Sequence, residues 1–444
     1  MVRLRLLLAA FAVSAAGCDG CGRAAGLLPA NGPDALEAEL VGTTPSEVTL
    51  RWEPHAAAIE YWICRNGSVV GAALASETEW TDTNVASDSE YAYVVEARGL
   101  PVLLHLLPSL HARSGEIPAR TSAPAPWLRE DVASTPSGVR PAVAVAPDDV
   151  VHVAYCRQAP FGLLHVTDAG AWGGGLVEDG CWASIAFDPA GTLHALFRRG
   201  EALRHATWSG GPWTAEAIDP GPLAALETAL AADDAGCLPA ACAVRDAGVR
   251  YATNRGGAWT TEDIAADARV RALSIAAAPG GAAHVLFFAG DAPRMLRHLS
   301  NASGAWAGED IAADVAGGVA SAVDAGGTLH VVAFGAWGGS GRSLLHLVHG
   351  PSGWTAEEIH PTRGPPGDVS LAAGPEGALH VSYGALSDDL LYASNAGGTW
   401  SPPVYVDVDG NVGARNALAV DGQGRVHIVY LDLTRNAVRR ARSP

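Results

Sequence analysis

The chain has 444 residues, enough for more than one domain. Its 47 acidic residues outnumber 29 basic ones, all arginine, for a net charge of −18 with histidine neutral. That balance excludes nucleic acid as a partner, which needs a basic footprint, and excludes docking on anionic lipid through the protein surface. The absence of lysine and the abundance of Ala, Gly and Arg read as codon bias, not function.

At the start, Arg3 and Arg5 precede the apolar run Leu6 to Val13 and a set of small residues. Residues 1–17 therefore read as an export signal, with an apolar run too short to stay in a bilayer as a spanning helix. The segment SAAGC (14–18) resembles a bacterial lipoprotein signal, whose cysteine is lipidated after cleavage. Ala15 stands where that motif has Leu. The resemblance implies a lipid on Cys18; an ordinary secretory signal is the alternative. Asp19 resembles an inner-membrane retention signal, but of enteric bacteria only, and carries no weight here; the expected location is the cell envelope, on the outer membrane. Residues 18–33 are small and carry Gly and Pro, the composition of a tether.

Residues 34–122 carry alternating runs at 47–52, 59–65, 78–82 and 90–98, with a hairpin signal at Asn66-Gly67. Trp52, Tyr61, Arg65, Thr81-Asp82-Thr83 and the Tyr91, Tyr93, Val95, Ala97 alternation resemble a fibronectin type III domain. The departure is a long apolar insert at 100–111, expected to pack on the next domain. Such modules are spacers or protein-binding units, an expectation by fold analogy.

From 123 to 444 the chain repeats. Trp127, Trp172, Trp213, Trp259, Trp306, Trp354 and Trp400 recur 41 to 48 residues apart. A second marker is His152, His194, His284, His330, His380 and His427, with Pro239 in the vacant slot. Each unit reads as four short strands between Gly, Asp and Asn turns, as in VSLAA, ALHVSY, LLYAS and TWSPPVYV. That period with four strands fits a β-propeller blade. The last copy lacks its Trp strand, and the Trp127 segment lacks three strands before it. Joining them yields seven blades, closed by an N-terminal strand near Trp127, with no free edge. The expected fold is all-β: a fibronectin type III-like sandwich followed by a seven-bladed propeller.

The repeated His residues are expected to hold blade turns, since an active site needs one asymmetric constellation. Glu130, Glu216, Glu262, Glu309 and Glu357 each follow a repeat Trp by three residues and read as a solvated outer stripe. The repeat Trp residues read as core. The turns SNASGAW, TNRGGAW and SNAGGTW resemble the Asp-box of sialidase-type propellers, without its Asp and one residue shorter. A sialidase also needs three arginines; FRRG at 197–200 is a poor substitute for its arginine motif.

Residues that break the repeat on the loop face are the candidate ligand site. They are Trp337 and Arg342, His360 and Arg363, Arg157 and Phe161, Arg294, and Trp182. Aromatic platforms beside Arg suit sugar stacking or an anionic group. DVDGN (407–411) lacks the later bidentate Glu of an EF-hand and reads as a turn, so no metal is expected. No cofactor motif is present: no phosphate loop, HExxH or GxSxG. Export makes disulfides plausible, with Cys237–Cys242 and Cys156–Cys181 as the candidates and Cys21 and Cys64 unassigned. No catalytic residue is assigned. The expected function is non-catalytic recognition of a glycan or an envelope protein. The alternatives are a sialidase-like hydrolase or lyase acting on polysaccharide, and an envelope assembly scaffold.

Overall fold

The computed structural model describes residues 34–444 apart from 44–46, 83–84, 86–88, 100–108, 121–126, 135, 137, 220–226, 245–247, 267–268, 291–293, 338–342, 351–352, 362–366 and 385–388. Cys18 and most of the apolar insert lie outside the described residues. Among the described residues every regular element is a strand and none a helix. The chain divides into two compact units, 1–125 and 126–444.

In the first unit Val48–Trp52 pairs with Ala38–Thr43 on one side and Glu79–Asp82 on the other. A second sheet centres on Glu60–Arg65, Ser68–Leu74 and Glu90–Gly99. Alternation along VTLRW turns Val48, Leu50 and Trp52 inward, where they pack on Tyr61, Ile63, Tyr93 and Val95 of the second sheet. Asn66 and Gly67 take positive φ (50° and 83°) and turn the Glu60–Arg65 strand into Ser68–Leu74. Buried Asp82 accepts hydrogen bonds from Arg65 at 2.7 Å and the Tyr93 hydroxyl at 2.8 Å. Cys64 is disulfide-bonded.

Among its described residues the second unit contains five four-stranded antiparallel sheets and one of seven strands. The seven-stranded sheet departs from the expectation of separate four-stranded units. Its cause is the 17-residue strand Ala307–Val323, which ends one repeat and begins the next without a break. On one edge it pairs with Met295–Ser300 and on the other with Leu329–Ala336. The repeat Trp residues mostly stand just before the outer strand; Trp400 is followed by Pro402 and Pro403, and its strand starts only at Val404. The Leu128–Ser134 strand pairs antiparallel with Ala437–Arg442, in one sheet with Val426–Asp432 and Asn416–Val420.

Burial follows position in the sheet. Second strands such as VHIVYLD are buried on both faces, because a neighbouring sheet packs on each side. Outer strands such as TAEAID are mostly exposed, with the polar side chains an edge requires. Core clusters join successive sheets: Leu163 and Ala154 meet Leu193 and Phe197, and Leu390 and Val406 meet Ile428 and Tyr430. A further cluster joins Val429, Leu431 and Val438 near the C-terminus to Val151 and Val153. Each fully buried aliphatic side chain contributes about 1.5–3 kcal/mol.

Cys156 and Cys181 form a disulfide, with Cα atoms 5.5 Å apart, between one sheet and the next. The expected Cys237–Cys242 bridge is absent: both are free thiols. Cys237 is held in a turn, its N–H donated to Asp233, while Cys242 lies in the strand Ala240–Val244. An extended chain places residues five apart at about 16 Å, beyond disulfide reach.

Candidate functional site

The first strands of the successive sheets surround a cavity of about 210 Å³. Its wall is stapled by hydroxyls. The Ser184 Oγ accepts Leu230 N–H (3.2 Å), Ser370 Oγ accepts Leu418 N–H (2.9 Å), and Ser274 Oγ accepts Ser321 N–H (3.0 Å). Each bond runs from the same position of one repeat to a position one residue further on in the next. These serines are therefore structural, and the chemistry has to come from the mouth of the cavity.

The mouth is set by one register position. Seven alanines (144, 186, 231, 276, 322, 372 and 419) face the repeat His slot across the first two strands; Pro239 fills that slot for Ala231. Four residues before each stand Arg140, Trp182, Glu227, Ala272, Gly318, Asp368 and Arg415. A position that elsewhere would repeat carries seven choices that include two cations, two carboxyls and an indole. Sequence reasoning took only Trp182 from it. Counting four residues back from the repeat alanine would have found the others.

The group is electrostatically coupled. Burial pushes the Glu227 carboxyl up to about 7, against the pull of the Arg140 and Arg415 guanidiniums and helped by Asp368. Arg140 is fixed by donating to the Asn416 carbonyl (2.7 Å) and the Val369 carbonyl (3.0 Å). Arg415 and Asp368 form an ion pair at 3.5 Å. Trp182 takes φ 56°, its carbonyl accepts Thr228 Oγ1–H at 2.6 Å, and the Arg198 guanidinium lies 5.0 Å from its ring. The mouth thus offers an indole plane, two guanidiniums and a carboxyl that holds or releases a proton near neutrality.

The other expected site residues that the structure describes do not join it. Trp337 packs on the core cluster of Leu286, Phe288 and Val331, because its loop starts at the end of a buried strand. The His360 Nδ1 shares a hydrogen bond with the Tyr383 hydroxyl at 2.9 Å, and burial pulls its pKa down. Arg157 donates to the Pro160 carbonyl at 3.0 Å, beside exposed Phe161. Arg294 is half-buried and places its Nε where it meets no acceptor. Arg342 and Arg363 lie outside the described residues. In DVDGN the Asp407 carboxylate accepts from Arg129 (2.8 Å), Arg439 (2.8 Å) and the Tyr430 hydroxyl (2.6 Å).

Most of the repeat histidines work in pairs. His194, His284 and His330 each share a hydrogen bond of 2.9–3.0 Å with a second ring on the third strand, His205, His298 and His346. His194 and His330 also reach the turn carboxylates Asp188 and Asp324. The second rings bond Glu216, Glu309 and Glu357, and the same carboxylates accept the indole N–H of Trp259, Trp354 and Trp400 in the next repeat. The outer glutamates are therefore acceptors between repeats and not merely a solvated stripe. Sequence reading missed this because the third-strand rings have no motif until the strands are paired.

No family model and no curated protein matches the sequence. Solved structures with distant likeness include a fucose-recognising lectin of Aleuria aurantia with a six-bladed β-propeller fold (13% identity, 55% of this chain and 85% of that one, TM-score 0.42). Virginiamycin B lyase from Staphylococcus aureus is 11% identical over 71% of this chain and 99% of that one, with TM-score 0.49. Ulvan lyase, a polysaccharide lyase, is 12% identical over 70% and 95%, with TM-score 0.48. At these scores the likeness carries no ligand or reaction over to this chain.

Proposed function

We propose that this chain is an exported, lipid-anchored envelope protein whose 126–444 unit is a seven-bladed β-propeller that recognises a glycan without cleaving it. The seven-stranded sheet counts as two blades sharing Ala307–Val323, and the Leu128–Ser134 strand is the outer strand of the last blade. The core cluster between the C-terminal strands and Val151 supports closure. The 34–120 portion is a fibronectin type III-like spacer; the packing of Trp52 on Tyr61 (5.2 Å) and of both on Tyr93 supports that reading.

The observation that carries the function is the asymmetric ring of Arg140, Trp182, Glu227, Asp368 and Arg415 on an otherwise uniform repeat. An indole plane stacks on a pyranose, and guanidiniums bind hydroxyls or an anionic substituent. The test is a glycan-array screen of the full chain, with every bound sugar checked for cleavage. Trp182→Ala and Arg415→Ala should each weaken binding about tenfold or more. Unchanged binding in both variants would sink the assignment. A blank array moves the weight to an envelope protein, sought by pull-down from envelope extract.

One observation favours a second reading, a polysaccharide-active enzyme. The Glu227 carboxyl, pushed up to about 7, suits a proton donor at neutral pH. On that reading Glu227→Gln abolishes cleavage and spares binding. Absence of turnover on every bound glycan removes it.

A further inference from the structure

Away from the axial mouth, the second unit breaks its own pattern twice at one spot. In three repeats a third-strand histidine lies directly across the ladder from a glutamate: His205 from Glu216, His298 from Glu309, His346 from Glu357. In the 142–178 sheet the partner of His165 is Gly175. Tryptophan and imidazole are nevertheless arranged as in the other repeats. His165 and Trp213 have ring centroids 5.2 Å apart at 85°, against 5.3 Å and 82° for His298 and Trp354. In those repeats imidazole Nδ1 and indole Nε1 converge on one carboxylate, Glu309 in this example, at 3.2 and 2.9 Å. Here the carboxylate is missing, and no described side chain replaces it.

The second break is Trp208. Three residues after their third-strand ring, other repeats carry Asn254, Asn301 or Asn395, each capping a turn by accepting a backbone N–H. Trp208 takes that place after His205. Its ring stands 5.1 Å from His165 and 6.5 Å from Trp213. Between them lies a recess of about 440 Å³, lined by His165, Trp208, Trp213, Pro212 and Gly173–Leu176. A Cβ at Gly175 would meet nothing within 4 Å, so the space is real and not taken up by neighbours. A Cβ at Gly174 would instead fall 1.9 Å from the His165 carbonyl, so that glycine serves the register.

We propose that this recess binds a small carboxylic acid with a ring-shaped body. The ligand carboxylate takes the place of the missing glutamate. It accepts from Trp213 Nε1–H and from His165 Nδ1–H, in the tautomer where His152 Nδ1–H donates to His165 Nε2 across their 2.9 Å contact. The ring body lies against Trp208. The site is independent of the axial mouth and does not rest on the function proposed there. A sugar acid and an aromatic acid share this chemistry, and the test separates them.

The experiment is calorimetric titration of the full chain with glucuronate, with benzoate, and with the methyl ester of each. Binding of one or both acids, with the esters at least about tenfold weaker, is expected, since the two donors then face a neutral ester in place of a charged carboxylate. Glucuronate alone identifies a sugar acid, and benzoate alone an aromatic one. Gly175→Glu supplies the carboxylate internally and should abolish binding while raising the melting temperature. Trp213→Phe keeps the ring, removes the donor, and should weaken binding about tenfold; it stands as the test should Gly175→Glu not fold. Trp208→Asn should weaken the ring acids and leave any acetate binding unchanged. The proposal is overturned if neither acid binds, if the esters bind as well, or if binding survives Gly175→Glu or Trp213→Phe unchanged.

Discussion

Glu216 shows at the scale of one residue how a half-exposed carboxylate becomes structural. It accepts from His205 and Trp259, both at 3.0 Å, and so ties two repeats together. Glu216→Ala leaves both donors without an acceptor, although water reaches them. A loss of about 1 kcal/mol is expected, read as a shift in the urea midpoint. Asp82 in the first unit is the more buried case, accepting from Arg65 and the Tyr93 hydroxyl. Asp82→Ala should cost more, about 3–5 kcal/mol, since it removes a buried carboxylate to which both a guanidinium and a hydroxyl donate. Equal, small losses for the two substitutions would contradict this ranking.

Asp407 and the glycines do their work between elements. The carboxylate of Asp407 joins Arg129 on the first strand of the second unit to Arg439 and Tyr430 near the C-terminus. Asp407→Ala should therefore loosen the pairing of Leu128–Ser134 with Ala437–Arg442. Hydrogen exchange should rise first in those two strands; a uniform rise would argue against a local clasp. Gly384 and Gly413 let two loop ends meet backbone to backbone. A Cβ on Gly384 would stand 2.3 Å from the Gly413 carbonyl, whereas one on Gly397 meets nothing within 4 Å. Gly384→Ala is expected to cost about 1–3 kcal/mol and Gly397→Ala close to nothing, compared by denaturant melts.

For the whole molecule, the buried imidazoles set the response to acid. Burial pulls His165 and His284 down to about 4, in His165 with help from the nearby His152 ring and in His284 from His298 and His349. Unfolded histidine titrates near 6.5, so between about 6.5 and 4 the unfolded chain binds protons that the folded chain refuses. Stability therefore falls as pH drops through that window, by about 3 kcal/mol per ring at most. A second loss follows below about 4. Burial raises the Asp421 carboxyl, but hydrogen bonds from His427, Arg425 and backbone N–H groups outweigh it and hold it at about 2. Melting temperatures should be flat from about pH 7 to 8, fall between 6.5 and 4, and fall again below 4. A melting temperature unchanged at pH 5 would show that these rings are accessible to solvent protons in the fold.

Much of this molecule is legible in its residues alone. Alternation along VTLRW, the spacing of seven tryptophans and the Gly and Asp turns dictate strands, their number per repeat and the all-β class, because these depend on local backbone preference and period. The separation of a first unit from a repeat array is equally local. The sites are not. Arg140, Glu227 and Asp368 lie tens of residues apart or more, just before strands of ordinary composition, and become one group only because the same register position recurs at one mouth. Trp337 looked like a platform but is half-buried against a core cluster, since exposure depends on what packs over a loop. Gly175 reads as one glycine in a run of three, and only cross-strand pairing with His165 shows that a carboxylate is missing there. Local propensity is written in neighbouring residues, whereas burial, charge coupling and a vacant acceptor depend on residues that folding brings together.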